Sequence, residues 1–361
     1  MYRDTETEPR KHDSSPFISF IIPFYNRFNM LKEAVQSVLS SDFKNLEIIL
    51  VDDASGYTCQ KESMEFANKY ANIFYIREEK NLGPGAARNR GIQAAKGEWL
   101  FFMDSDDIIY GHILPELAEF LKSARCDDVD IVSFNKITYK FADNSVKIIN
   151  NFDKITDEWW HRVFDWRNSP HNRTELWNFC FRRCFLVKND IKCDNVHGQE
   201  ECRLVFTAVC YAKKTAVFLQ GFYEYRVRAA SSLTATAERK NQIEGRKSVF
   251  NSLLLLCEAD IPRDKKTHAE NLLYRTILYS QWDSYLYRNN KTVYGALDRL
   301  RGQIAVYTDN WRKKAYISPC FLEAPAAAKL ISNWGGGGRL PVLLTKIKHP
   351  RGPEPAKKTA A

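Results

Sequence analysis

Asp104-Ser105-Asp106-Asp107 places three carboxylates within four residues. Carboxylates this close repel one another and resist leaving water, and a divalent cation is the simplest partner for them. No Cys or His interrupts the cluster. Oxygen-only ligands suit Mg²⁺ or Mn²⁺, and Mg²⁺ is commonly held by one or two carboxylates together with substrate phosphates. The cluster follows Trp99–Met103, an apolar run that reads as a strand buried on both faces. Ligands of open α/β sheets bind outside the carboxyl ends of strands. The stretch therefore reads as a metal–diphosphate site at a strand end, or else as an acidic loop capping the next helix.

Two further strand ends carry polar residues: Tyr25-Asn26 after Ile18–Pro23, and Asp52-Asp53 after Leu46–Val51. Parallel strands would gather all three motifs on one edge of the sheet. The turn Gly83-Pro84-Gly85-Ala86-Ala87-Arg88 opens a helix, as a dinucleotide fingerprint does. The fingerprint wants a small residue where Arg88 stands, and wants it after the first strand rather than the third, which argues against an NAD site. Arg88 is better suited to pairing with a carboxylate or contacting a phosphate. No G-x-x-x-x-G-K-[ST] occurs, which excludes a P-loop NTPase.

The elements that must position these residues alternate at short intervals. Leu31, Val35, Val38 and Leu39 fall at helical spacing after the first strand; a helix through Met64 and Phe66 follows the second. Ile73–Ile76 reads as a strand, Ala86–Ala95 as a helix closed by Gly97 at its C′ position, Ile113–Leu121 as a helix and Asp130–Phe134 as a strand. Such alternation over residues 17–135 predicts an α/β fold, a mostly parallel sheet flanked by helices.

Four ordered motifs resemble those of family 2 glycosyltransferases, inverting enzymes of the GT-A nucleotide-diphospho-sugar transferase fold. They are Pro23-Phe24-Tyr25-Asn26, Val51-Asp52-Asp53-Ala54-Ser55, the run Asn81–Ile92, and Phe102-Met103-Asp104-Ser105-Asp106-Asp107. The resemblance implies that Tyr25, Asn26 and Asp53 hold the nucleotide base and that Arg88 lies near the ribose and diphosphate. It implies that Asp106 and Asp104 form the D-x-D pair: Asp106 the metal ligand, Asp104 nearer the ribose. Pro23, Asn81, Gly83 and Ser105 complete these donor-binding motifs. Leu176–Arg183 resembles a family segment expected to close the site. In His197-Gly198-Gln199-Glu200-Glu201 the family usually has Glu-Asp, with Asp as general base; Glu201 stands at that place and Glu200 beside it. The alternative for Glu201 is a carboxylate stabilised at a helix N-terminus. Tyr223–Arg228 resembles a segment where His often replaces Arg228; Arg cannot ligate a cation, so Arg226 and Arg228 are assigned to the diphosphate.

The resemblance implies transfer of a sugar from a nucleotide-diphospho-sugar, a UDP-sugar by preference, to a hydroxyl of a saccharide or glycolipid acceptor in bacterial surface polysaccharide or lipopolysaccharide synthesis. Mn²⁺ or Mg²⁺ is the implied cofactor. Two readings from other classes stay open: a sugar nucleotidyltransferase, and a non-catalytic nucleotide or glycan binder. The nucleotidyltransferase would need a Gly-rich phosphate loop where this chain has Phe24-Tyr25-Asn26-Arg27.

The 361 residues are predicted to divide into a lead-in (1–16), a nucleotide-sugar-binding half (17–135), an acceptor and base half (136–235), a helical region (236–334) and a basic tail (335–361). The tail follows Gly335–Gly338 and carries Arg339, Lys346, Lys348, Arg351, Lys357 and Lys358 against Glu354, a pattern that fits a solvated tail or a contact with anionic lipid. The net charge of +9 fits phosphorylated substrates as well as nucleic acid or a membrane surface; no nucleic-acid partner is expected. No apolar run approaches the roughly 20 residues of a bilayer span, and the first residues do not read as a signal peptide. A cytoplasmic protein with reduced thiols is therefore expected. Cys180, Cys184, Cys193 and Cys202 lack paired zinc-site spacing and read as buried thiols. Asp157–Trp166 is aromatic-rich, which fits either a carbohydrate-facing surface or a helix packed on the sheet.

Overall fold

The computed structural model describes residues 15–123, 128–150, 174–196 and 198–227, with 245, 248, 249, 251–253, 255, 256, 259–266 and 269 beyond them. Contacts divide the chain into two units, 1–273 and 274–361, and every described residue belongs to the first. The aromatic stretch Asp157–Trp166, the expected helical region beyond residue 269, and the glycine joint and basic tail lie outside the described residues.

The central sheet has seven strands. β1 (Ile18–Phe24), β2 (Leu46–Asp52), β3 (Ile73–Arg77) and β4 (Trp99–Phe102) are parallel. Residue by residue β1 and β2 are buried, as continuous apolar strands covered on both faces must be. α1 (Phe28–Leu39), α2 (Tyr57–Ala67) and α4 (Leu114–Lys122) share a core with Ile18, Phe20 and Ile22 on one face. α3 (Pro84–Ala94) covers the other face, with Gly91 against Ile21. The reversal from β3 back to β4 moves α3 across, as right-handed crossovers require.

The order is β10-β6-β9-β4-β1-β2-β3, with β6 (Ile131–Phe134), β9 (Phe179–Arg182) and β10 (Thr215–Phe218) completing it. β9 runs antiparallel to both β4 and β6. The segment expected to close the site thus lies inside the sheet: Phe179, Cys180 and Phe181 are buried among neighbouring strands. A smaller sheet, in the order β5-β11-β7-β8, joins β5 (Ile108–Ile109), β11 (Tyr223–Val227), β7 (Lys136–Phe141) and β8 (Val146–Asn150). Two helices complete the labels, α5 (Arg183–Lys188) and α6 (Glu201–Tyr211).

Two local expectations are corrected. α3 ends at Ala94, and Gly97 is not its left-handed C′ residue. Gly97 is required by close approach instead: a β-carbon there would lie 2.4 Å from Ser19 Oγ, while its amide donates to Ser19 Oγ at 2.8 Å and Glu47 Oε1 at 3.1 Å. Cys184 is exposed, since α5 turns it outward, whereas Cys180, Cys193 and Cys202 are buried as expected. Among the described residues no helix is long and apolar enough to cross a membrane.

Asp52 closes the C-terminal end of β2. Fully buried, it accepts hydrogen bonds from Ser55 N at 2.7 Å, Tyr75 Oη at 2.5 Å and Arg77 Nη1 at 2.8 Å. Removing one partner of a buried pair typically costs ~3–5 kcal/mol. Asp52→Ala is expected to lose about 3 kcal/mol, read as a lower urea midpoint; an unchanged midpoint would show that the β2–β3 edge does not depend on this bond.

Candidate functional site

The polar strand ends are tied to one another before any ligand is considered. Asn26, at φ 52°, donates its amide to Ser55 Oγ at 2.9 Å and accepts from Gly56 N at 2.7 Å. The loops after β1 and β2 are thereby one unit. Ala54, at φ 62°, turns the chain sharply after the two aspartates. Asp53 then points away from the β2–β3 edge and accepts from Leu82 N at 2.8 Å and Gly83 N at 2.9 Å. It fixes the turn that opens α3. Pro23 is buried beside Val51 in the sheet, while Tyr25 and Asn81 are exposed at the edge.

Arg88 lies on the second turn of α3, and its side chain is only 10% exposed. Its Nη2 donates to Asp104 Oδ1 at 2.9 Å and its Nη1 to Glu200 Oε1 at 2.7 Å. The guanidinium thus joins the loop after β4 to the start of α6, 112 residues along the chain. Glu200 Oε2 also accepts the Gly198 amide at 3.0 Å. Glu201 behaves differently. Among the described residues its carboxylate makes no hydrogen bond or ion pair to another side chain, and it is half-buried. Burial, then the neighbouring Glu200 charge, push its carboxyl up to about 8, with Arg88 opposing. Two adjacent glutamates therefore occupy unlike environments, one fully engaged and one free to exchange a proton.

Asp106 pairs with Arg27 Nη1 at 3.0 Å. Ser105 is buried between the two outer aspartates. Asp107 turns inward instead: it accepts from Tyr223 Oη at 2.6 Å and from the Arg226 amide at 2.8 Å. Burial, then the charges of Asp104 and Asp106, hold its carboxyl well above the usual range. The Arg226 side chain does not reach outward as a diphosphate contact would. Its Nε donates to the Asp106 carbonyl at 2.5 Å and its Nη1 to Glu33 Oε2 at 2.5 Å, while Nη2 is buried without a partner among the described residues. Arg228 lies outside the described residues.

Sequence reasoning missed Arg27, Glu33 and Tyr223. Arg27 directly follows the Pro23–Asn26 motif, so its place beside the site was available as a signal. Tyr223 stacks on Trp177 with ring centroids 5.0 Å apart and planes at 7°. Nothing in the sequence pairs these two rings. A cavity of about 380 Å³ opens beside the same edge, lined by Asn26, Phe28, Asn29, Gly56, Tyr57, Thr58, Cys59 and Glu62. It shares Asn26 with the strand-end loops but includes neither Arg88 nor the aspartate cluster.

The donor set can be tested against a divalent cation. Asp104 and Asp106 keep 32% and 22% of their side chains exposed, while burial, then the charges of Asp104 and Asp106, drive Asp107 toward its protonated form. Among the described residues no three carboxylate, imidazole or thiolate groups converge to make a metal centre. Two carboxylates with the remaining positions left to phosphate oxygens and water is an arrangement that suits Mg²⁺ or Mn²⁺.

Comparison with known proteins agrees with this architecture. The family model described as "Glycosyl transferase family 2" matches residues 19–191. The minor teichoic acid biosynthesis protein GgaB of Bacillus subtilis is 27% identical over 256 residues, covering 70% of this chain and 27% of GgaB. The cholesterol galactosyltransferase of Borreliella burgdorferi is 29% identical over 220 residues, covering 58% of this chain and 59% of that protein. The chain thus spans about a quarter of GgaB and somewhat under two thirds of the Borreliella protein. The crystal structure of S. aureus TarS 1-349 in complex with UDP-GlcNAc matches with a TM-score of 0.64 and 20% identity, over 83% of each chain, and shares the fold.

The inward carboxyl of Asp107 makes a prediction with a definite sign. A native carboxyl held above its ordinary 3.8 binds a proton that the unfolded chain has released. Its contribution to stability is therefore lost as pH rises above about 4. In EDTA, Asp107→Asn is expected to remove that part of the decline and to melt no lower than the unsubstituted protein at pH 7.5. A variant less stable at pH 7.5 would mean that the charged carboxylate is what the fold requires.

Proposed function

Residues 19–191 belong to glycosyl transferase family 2, and on that premise we propose that the chain is an inverting, metal-dependent enzyme. It moves a hexosyl-type sugar from a nucleotide-diphospho-sugar to a hydroxyl of a saccharide or glycolipid acceptor. The observation that carries the reading is the contrast between Glu200, saturated by Arg88 and the Gly198 amide, and Glu201, half-buried with its carboxyl pushed up to about 8. Neighbouring titratable groups in unlike environments are how a site assigns acid–base roles.

In this reading the acceptor hydroxyl gives its proton to the Glu201 carboxylate as its oxygen attacks the anomeric carbon. The nucleoside diphosphate departs from the opposite face, so the configuration inverts and no covalent intermediate forms. Asp106 and Asp104 would hold Mg²⁺ or Mn²⁺, which when bound supplies positive charge to the leaving diphosphate. Arg88 keeps Asp104 and Glu200 in fixed relation, which sets the donor loop against the base. Asp53 and Asn26 hold the loops among which the nucleotide base sits. Arg226 holds the Asp106 carbonyl and so shapes the loop from behind.

The printed names of the relatives support the class of acceptor. GgaB is named for minor teichoic acid biosynthesis and the Borreliella enzyme for transfer to cholesterol, so a cell-surface polymer or glycolipid is the acceptor of first choice. The matching fold in a UDP-GlcNAc complex supports a UDP-sugar as donor.

Loss of a general base typically costs ~10²–10⁴-fold in rate. Glu201→Gln is expected to lose turnover on that scale, about 10²-fold or more, while the donor dissociation constant stays within a few-fold. The base must be ionised to act, so kcat/KM of the unsubstituted enzyme should rise with pH, pass half its limiting value near pH 8 and level about one pH unit above that. Near-native turnover in Glu201→Gln would overturn the assignment.

The cation is tested without turnover. UDP should raise the melting temperature in Mn²⁺ and not in EDTA, and Asp106→Asn should abolish the difference. Equal stabilisation in EDTA would refute metal-dependent diphosphate binding.

A further inference from the structure

Residue 194 connects three elements around the base. The Asp194 amide donates to the Glu200 carbonyl at 3.0 Å, on the N-terminal side of Glu201. Its Oδ1 accepts from Arg203 Nη1 at 2.7 Å, on the C-terminal side. The first turn of α6 is thus held from both directions by one residue, with Glu201 between the two anchor points. Its Oδ2 accepts from Ser248 Oγ, in a helical segment distant in sequence.

Two close backbone approaches fix the same loop in space. A β-carbon on Gly85, at the start of α3, would lie 2.1 Å from the Asp194 carbonyl oxygen. One on Gly245, a turn before Ser248, would lie 2.4 Å from the Gly198 carbonyl oxygen. Gly198 and Gln199 both have positive φ, 89° and 56°. A loop in this conformation needs outside support to keep one geometry. That support comes from α3 on one side and from Gly245 and Ser248 on the other. α6 and Ser248 both lie beyond residue 191, where the family match ends.

We propose that Asp194 and Ser248 are positioning residues for the base, and that Gly245 and Ser248 form one wall of the catalytic loop rather than an appendage. The proposal rests on the reading of Glu201 as the base. In this proposal Asp194 acts through Glu201 and not on the substrates themselves. It sets the direction of the Glu201 carboxylate by clamping the turn on both sides of it, and Ser248 keeps the Asp194 carboxylate turned toward α6. Misplacing a catalytic group by about 1 Å can cost ~10²-fold in rate.

The test combines kinetics with a readout that needs no turnover. UDP release is measured for UDP-glucose, UDP-galactose and UDP-N-acetylglucosamine with Mn²⁺, taking the donor turned over fastest. Ser248→Ala should lower kcat several-fold and Asp194→Ala about 10–100-fold, with KM for the donor unchanged. Ser248→Thr keeps the hydroxyl and should restore kcat. Hydrogen–deuterium exchange should quicken over residues 198–205 in Ser248→Ala and stay unchanged over residues 46–103. Native kcat in both alanine variants while Glu201→Gln is inactive would overturn the positioning role and leave the base assignment standing. Full turnover in Glu201→Gln would overturn both. Unchanged exchange over 198–205, or a rise in KM and fall in melting temperature equal to the loss in kcat, would reduce the contact to general support of the fold and refute the proposal.

Discussion

The buried guanidinium of Arg88 is the constraint on which the rest of the site depends. It bonds Asp104 at 2.9 Å and Glu200 at 2.7 Å from the second turn of one helix. Its two acidic partners come from elements that the sheet alone would not bring into register. A planar fork with fixed donor directions can hold two carboxylates at set angles, which a lysine ammonium cannot. Buried pairs of this kind are weak evidence for stability, because desolvation offsets much of the attraction. Their effect here is on geometry: the acidic loop and the glutamate loop move together or not at all. The cost is visible in the Arg88 Nε, buried and without a partner among the described residues.

The remaining charges divide along the same line. Asp106 faces Arg27, Asp107 faces Tyr223 and the Arg226 amide, and Arg226 reaches past them to Glu33. Each carboxylate of the cluster thus has a partner from a different element: α3, the loop after β1, or β11. Crowded like charges are tolerable where each is hydrogen-bonded separately. Glu201 departs from this pattern, with no side-chain partner of its own, and such a group next to a saturated neighbour is the kind that chemistry can use.

How much of this was legible in the sequence follows from the range of the interactions involved. β1 to β4 and their helices were readable because long apolar runs and helical spacing are local signals, and the strand bounds agree to within a residue or two. Asp53, Arg88 and the aspartate cluster were readable as candidates because their motifs are contiguous. Their partners were not. That Arg88 would bind Glu200 rather than a phosphate depends on a contact between residues 112 apart. β9 was unreadable because Phe179–Arg182 is short and buried throughout, with no alternation to mark it as a strand. The short β5 and the exposed β8 carry no strong apolar period either. Gly97 was misread because a glycine after a helix is usually a C-cap, and nothing local announces that Ser19 and Glu47 crowd it.

The antiparallel strand β9 lies between β4 and β6 and, among the described residues, is the neighbour that each has on that side. The order in which the polypeptide emerges therefore matters. β4 is complete at residue 102 and β6 at residue 134, but neither has its shared partner until residue 182. Until then Trp99–Phe102 presents bare amides and carbonyls beside four buried-type side chains, an edge that pairs readily with another chain. The nascent protein must keep that edge out of reach during the synthesis of roughly 80 further residues, several seconds at ~5–20 residues per second. Strand β9 thus protects as well as completes the sheet, and a fragment cut between β6 and β9 would be prone to aggregation however well its first four strands were formed.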